Sequence, residues 1–210
     1  MRIAIIGTGN VGRAIALGLK GKGHAVSLGT RDPKAAHIVA LAAETDAAPM
    51  LPATAAAAAD LVILALPWSE AESAVKALGT LAGKTVIDCM NPLGMVDGAL
   101  GLTTGYSTSG GEIVQGWLPT AHVVKTLNQV GAEIMARNDH LPLRPVMLMA
   151  GDDDGAKARV AELLSDLGFA AMDAGSLTKA RLLEPFGMVW INQALFRGKG
   201  RNWAFSAVEG

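Results

Sequence analysis

A single cysteine, Cys89, is the whole thiol content of this 210-residue chain, so no disulfide forms within it. Its setting, Thr85-Val86-Ile87-Asp88-Cys89-Met90, reads as the end of a buried strand, which makes it a core thiol and not a nucleophile. Histidine is scarce as well, with four residues scattered along the chain. No metal-ligand cluster and no Ser-His-Asp order can be assembled from them. An excess of charge is also missing: 18 Lys and Arg against 19 Asp and Glu leave a formal net charge of -1 with no basic cluster. Nucleic acid and anionic membrane surfaces, which need a concentrated positive field, are thereby excluded as partners. No uncharged stretch has the length and apolarity of a membrane span. The four apolar residues between Arg2 and Gly7 are too few for the apolar core of a secretion signal. A cytoplasmic chain is expected.

What is present starts at residue 1. Met1 to Gly12 reads MRIAIIGTGNVG, an apolar β-branched run passing into Gly7-Thr8-Gly9-Asn10-Val11-Gly12. This is the dinucleotide-binding fingerprint: Gly7 for the tight turn, Gly9 for approach of a pyrophosphate to the backbone, Gly12 for close packing of helix on sheet. A lone glycine triad is a weak signal. Here Ile3, Ile5 and Ile6 supply the preceding strand, and Ile15, Ala16 and Leu19 in RAIALGLK supply the following helix, whose first amides point at the phosphates.

Half of the residues are hydrophobic, enough for one full α/β unit and not for two separate cores. The chain is therefore expected to form a single NADP-binding Rossmann-like domain over 1–210, with a dinucleotide-binding core over 1–150 and a C-terminal extension over 151–210. Apolar β-rich runs recur at 2–7, 25–29, 61–66, 85–89, 122–125 and 146–150, with helical patterns between most of them. That alternation predicts a doubly wound, mainly parallel sheet with a short helical C-terminal extension. Ala53 to Ala59 reads as a short packed helix. Residues 91–119 break the rhythm with seven glycines, and only Glu112 to Trp117 looks helical there. Such a segment is either a substrate loop beyond the strand ends or a tolerated surface loop. From Thr178 to Phe196 the helical pattern is interrupted near Pro185, which predicts two short helices or one kinked one.

The end of the second strand, Leu28-Gly29-Thr30-Arg31, offers a hydroxyl and a cation where an NAD site expects an acid, with Lys34 one turn onward; this favours NADP. Asp32, directly before Pro33, reads as a helix cap. Leu66-Pro67-Trp68 and Asn91-Pro92 follow the next strands and open into the cofactor crevice. Trp68 covers the cofactor or simply staples its helix. Lys125 and Asn128 stand where polar groups reach the nicotinamide or an acceptor: Lys125 donates to a developing oxyanion, orients the carboxamide, or is merely a lysine on a strand-end loop. His122 is expected at a strand edge. The acidic run Asp152-Asp153-Asp154 lacks the spacing of a calcium loop and reads as a helix cap.

Together the segments IAIIGTGNVG, LGTRDP, ALPW, VVKTLN, AGDDDGAK and MDAGSLTKARLLE resemble, over essentially the whole chain, the coenzyme F-420-dependent NADP oxidoreductase family, whose reductase domain also occurs in the STEAP group of ferric reductases. The resemblance implies hydride transfer between NADPH and a deazaflavin (coenzyme F-420) or flavin as the small-molecule acceptor, chemistry that needs orientation more than a strong acid or base. By position it implies Thr8, Gly9, Asn10 and Val11 at the pyrophosphate, Thr30, Arg31 and Lys34 at the 2′-phosphate, Leu66 and Pro67 on the nicotinamide side, and more weakly Asn91, Lys125 and Asn128. The chain departs from archaeal members in carrying Asp32 after the arginine and in its Lys125 and Asn128, which puts the electron acceptor in question. Two other readings stand beside it: a reductase of a small carbonyl or imine with Lys125 as proton donor, and a non-enzymatic NADPH sensor. A homodimer is expected for all three, because Met188, Val189, Trp190, Leu195, Phe196, Trp203 and Phe205 concentrate apolar surface in the C-terminal tail.

Overall fold

The computed structural model of the chain describes residues 1–208 and 210. Eight strands form one sheet. In chain order the elements are β1 Arg2–Ile6, α1 Asn10–Leu19, β2 Ala25–Gly29, α2 Ala36–Thr45, β3 Ala48–Met50, α3 Pro52–Ala58, β4 Leu61–Leu64, α4 Trp68–Lys76, β5 Thr85–Asp88, β6 Leu93–Val96, β7 Ala99–Leu102, α5 Gly110–Trp117, β8 His122–Lys125, α6 Ala132–Ala136, β9 Val146–Gly151, α7 Asp154–Asp166, β10 Ala170–Asp173 and α8 Ala180–Ile191. Short helical turns precede and follow α8 at Leu177–Lys179 and Asn192–Phe196.

The strand order is β10-β9-β8-β5-β4-β1-β2-β3. Every pairing is parallel except that of β8 with β9, which is antiparallel. The architecture is thus the Rossmann-type one. Central strands β1, β4 and β5 are buried along almost their whole length, as expected of a parallel sheet covered on both faces. One core layer joins Ile3, Ile5, Ile63 and Ile87 to Ile15 and Leu19 of α1 and to Val160, Leu163 and Phe169. The other joins Ile6, Val62, Leu64 and Val86 to Ala55, Ala71, Val75 and Val114. Each fully buried aliphatic chain contributes about 1.5–3 kcal/mol relative to exposure, so α1 is fastened mainly by Ile15 and Leu19.

Several local expectations need correction. β3 and β10 went unread in the sequence because they are short edge strands with weak β signals: Ala48-Pro49-Met50, whose proline an edge tolerates, and Ala170-Ala171-Met172-Asp173. Within the glycine-rich 91–119 segment, β6 and β7 pair as an antiparallel hairpin. Its Asp97-Gly98 turn has φ of 50° and 79°, the two positive values of the mirror-image turn that suits a two-residue hairpin. Asp32 does not cap a helix: α2 starts at Ala36 behind Ala35, and Asp32 accepts from the Lys34 amide at 3.0 Å, a local turn that competes with helix. The tail forms one helix that runs through Pro185. Trp190 is buried, and Trp203 and Phe205 stack into the same cluster with Phe186, so these aromatics are spent on the chain itself. The other caps stand as read: α3 covers the alanine-rich segment, and Asp153 accepts from the Ala156 amide at 2.7 Å at the start of α7.

Candidate cofactor crevice

The order of the sheet reverses between β1 and β4: after β1 the chain builds β2 and β3 outward on one side, then crosses to β4 and β5 on the other. In doubly wound folds ligands bind beyond the carboxyl ends of strands at such a point. A crevice of about 650 Å³ lies there, lined by Ile6 to Gly9 after β1, Gly29 to Asp32 after β2, and Ala65 to Pro67 after β4. Ala35 and His37 of the α2 entry add to one wall, and Glu70, Ser73, Ala74 and Ala77 of the α4 segment to another.

The fingerprint glycines divide by what surrounds them. A Cβ on Gly12 would stand 1.9 Å from the carbonyl oxygen of Gly7, and one on Gly7, whose φ is +106°, would stand 2.2 Å from that of Ala65. These two make the turn and the close helix packing possible. Gly9 differs, since a Cβ there would meet no protein atom within 4 Å. The space beside Gly9 is the space a pyrophosphate fills in a site of this type. Gly9 also begins α1 with no side-chain cap and no acidic residue in the first turn, which leaves the positive end of the helix turned to an anion.

Where β2 ends, Thr30 is held by its amide on the Met50 carbonyl at 2.9 Å and lines the crevice. Arg2, Arg13, Arg137, Arg181 and Arg201 each hold a carboxylate. Arg31 holds none among the described residues and lines the crevice. Lys34 is exposed and is not part of the lining. His37, absent from the residues expected at the site, is.

A second group of expected site residues lies elsewhere. Lys125 is fully buried. Its Nζ stands 3.0 Å from Asp88 and 2.8 Å from Glu184, and it donates to the Met90 carbonyl. Burial alone would lower its pKa, but the two carboxylates outweigh it and hold the ammonium above the ordinary lysine value. Glu184 in turn accepts from the amides of Gly110 and Gly111 at 3.0 and 3.1 Å, and Asp88 accepts from the Met90 amide at 2.9 Å. Asn91 and Asn128 bind each other: the Asn91 amide donates to the Asn128 carbonyl and the Asn128 amide to Asn91 Oδ1, both at 2.9 Å. Asn128 also donates to the Leu183 carbonyl of α8 at 3.0 Å. Leu127 between them holds a left-handed φ of 57° while fully buried, an arrangement kept only because its neighbours are pinned. Lys125, Asn128 and Asn91 thus fasten α8 across the strand ends and do not line the crevice. Trp68 does not line it either: it stacks on Trp117 of α5 with centroids 5.6 Å apart.

Cys89 is buried, donates to the Leu64 carbonyl at 2.8 Å, and has its pKa pushed up to about 12, chiefly by burial. It is a core thiol. His122 stands at the start of β8 with Nδ1 3.6 Å from Asp153. Among the described residues no group of three or more His, Cys, Asp or Glu is placed to hold a metal ion, and no helix is long and apolar enough to cross a membrane.

A sequence family described as NADP oxidoreductase, coenzyme F-420-dependent, matches residues 2–92. A crystal structure from Arthrobacter sp. FB24, provisionally named an F-420-dependent NADP reductase, is 36% identical, covers 100% of both chains and superposes with a TM-score of 0.91. The chain belongs to the coenzyme F-420-dependent NADP oxidoreductase family. Metalloreductase STEAP3 of Rattus norvegicus is 29% identical over 185 residues, 87% of this chain and 36% of its own length. The chain therefore spans about a third of the curated relatives it matches. A reductive aminase from Aspergillus terreus, solved with NADPH and ethyl levulinate, is 20% identical over 94% of this chain and 62% of its own, with a TM-score of 0.69. That likeness is one of fold. As a member of this oxidoreductase family the chain keeps the strand-end crevice, while the polar groups beyond β5 and β8 are committed to its tail helix.

Proposed function

We propose that the protein transfers hydride between NADP(H) and a flat, flavin-type acceptor, a deazaflavin such as coenzyme F-420 or a flavin. The observation that carries this reading is the division of polar groups around the strand ends. Thr30 and Arg31 stand uncommitted in the crevice where a 2′-phosphate is read, whereas Lys125, the residue that would protonate a carbonyl or imine product, is locked between two carboxylates. A reductase of carbonyls must deliver a proton as well as a hydride; transfer to a conjugated flavin-type ring is less demanding.

In this reading the first turn of α1, from Gly9 to Gly12 with Thr8 ahead of it, receives the pyrophosphate on its backbone amides. Arg31 gives a charge-assisted contact to the 2′-phosphate and Thr30 a hydroxyl donor. Leu66 and Pro67 form an apolar wall for the nicotinamide, which supplies the hydride when bound. The chain's own contribution is orientation and exclusion of water. The names of the family and of the Arthrobacter structure support the acceptor class.

The test is NADPH oxidation, followed at its near-ultraviolet absorbance, with coenzyme F-420, FMN, FAD and riboflavin in parallel and NADH as the paired control. Selective NADPH turnover with one of these acceptors is the expected result. Tight NADPH binding without turnover would turn the reading to a sensor, and turnover only with imines or carbonyls would overturn it. We also expect a homodimer, on the strength of Leu182, Val189, Leu195 and Phe196, which stay exposed along α8 and the turn after it. A monomeric mass at micromolar concentration would remove that expectation.

A further inference from the structure

We infer that His37 is a second reader of the 2′-phosphate, one whose contribution is switched by pH. This rests on the NADP(H) reading of the crevice. His37 is the second residue of α2, exposed, and part of the same wall as Thr30 and Arg31. The other three histidines are engaged elsewhere: His24 with Asp166 at 2.9 Å, His122 beside Asp153 and His140 with Asn202 at 3.0 Å. His37 forms no hydrogen bond or ion pair with any described residue.

Its helix adds a second reason. α2 starts at Ala36; its N-cap, Ala35, gives no side-chain hydrogen bond, its first turn holds no acid, and Ala35 itself lines the crevice. An imidazole at this position stands at the positive end of a ten-residue helix, where an anion is favoured and a bare cation is not. A phosphate between the helix end, Arg31 and His37 satisfies all three.

The charged groups that face this wall are few. Arg31 and Asp32 come from the approach to α2, and Glu70 comes from the α4 segment opposite. Lys34 is exposed outside the lining. α1, packed against α2, brings Arg13 and Lys20, and both are spent on Glu44 near the far end of α2. β3 and α3 carry no charged side chain. Of these side-chain types only histidine ordinarily changes charge between about pH 6.5 and 8.5. Over that window a sugar phosphate, with its second ionisation near about 6, stays mostly dianionic.

Binding of NADPH, NADH, 2′,5′-ADP and 5′-AMP, measured by calorimetry on the full chain and on His37→Gln and Arg31→Gln, tests this. The wild type is expected to prefer 2′,5′-ADP to 5′-AMP, more strongly at about pH 6.5 than at 8.5. His37→Gln is expected to lose about three- to tenfold in 2′,5′-ADP affinity at the lower pH, little at the higher, and nothing toward 5′-AMP. Arg31→Gln is expected to lose affinity at both. If the wild type shows no preference for the 2′-phosphate, the NADP(H) reading itself fails. If the preference stands but His37→Gln leaves its size and pH dependence untouched, only the assignment of His37 fails.

Discussion

Two sets of polar side chains sit at the carboxyl edge of one sheet and are treated in opposite ways. Beyond β1, β2 and β4, Thr30, Arg31 and His37 line a crevice, and their side chains have no partner among the described residues. Beyond β5 and β8, Lys125, Asn128 and Gln129 are buried, and each is bound to other parts of the chain. Burying a charge is tolerable only when it is paired and hydrogen-bonded, and the second set meets that condition completely. The first set leaves its hydrogen-bonding capacity for something that arrives. On the proposed reading, an uncommitted side chain in a concave site marks ligand recognition in this molecule, and a committed one marks assembly.

The largest expected effect breaks the committed side. Lys125→Met removes the one cation between Asp88 and Glu184 and leaves two carboxylates in a dry site. It is expected to cost about 3–5 kcal/mol in chemical unfolding, within the range for a buried pair that loses one partner. A variant that folds with native stability but no longer turns over would place Lys125 in the chemistry and dissolve the contrast.

The fingerprint glycines sharpen it. Gly12→Ala forces a Cβ onto the Gly7 carbonyl and is expected to destabilise by about 1–3 kcal/mol, as overpacking does. Gly9→Ala meets no protein atom, so its unfolding curve should stay close to wild type while NADPH affinity falls. Equal loss of stability in both variants would show that the space beside Gly9 is not reserved for a ligand. Arg31→Gln comes next, with about tenfold weaker NADPH binding at unchanged NADH binding, the size of one lost charge-assisted contact.

How legible each region was follows from how local its determinants are. The fingerprint was readable because its glycines answer to neighbours a few residues away and the strand and helix flank it directly. The placement of Thr30 and Arg31 just past the end of β2 was readable for the same reason. Lys125 was not, since a strand-end lysine looks alike whether it faces ligand or core; its environment is set by Glu184, on a helix much later in the chain. His37 was missed because its place depends on where α2 begins, and Asp32-Pro33 suggested an earlier start than Ala36. The β6–β7 hairpin did carry a local signal, Asp97-Gly98 between apolar residues, which the surrounding glycines masked.

The smallest effect concerns Cys89, whose thiol donates to the Leu64 carbonyl at the end of β4. Burial raises its pKa from an ordinary 9.0 to about 12. The folded state then keeps its proton where the unfolded chain has lost it, so stability is intact below about pH 9 and declines as pH rises toward 12. By about pH 10 the loss amounts to roughly 1 kcal/mol. Cys89→Ala removes this term, and its stability should fall less steeply over the same alkaline window, measured by urea unfolding at closely spaced pH values. A disulfide reagent at about pH 8 should leave the native thiol unmodified and label it once urea unfolds the chain. Rapid labelling of the folded protein would mean that the Leu64 end of β4 opens easily, and that the apolar Leu66-Pro67 wall proposed for the nicotinamide is softer than the buried Lys125 clamp.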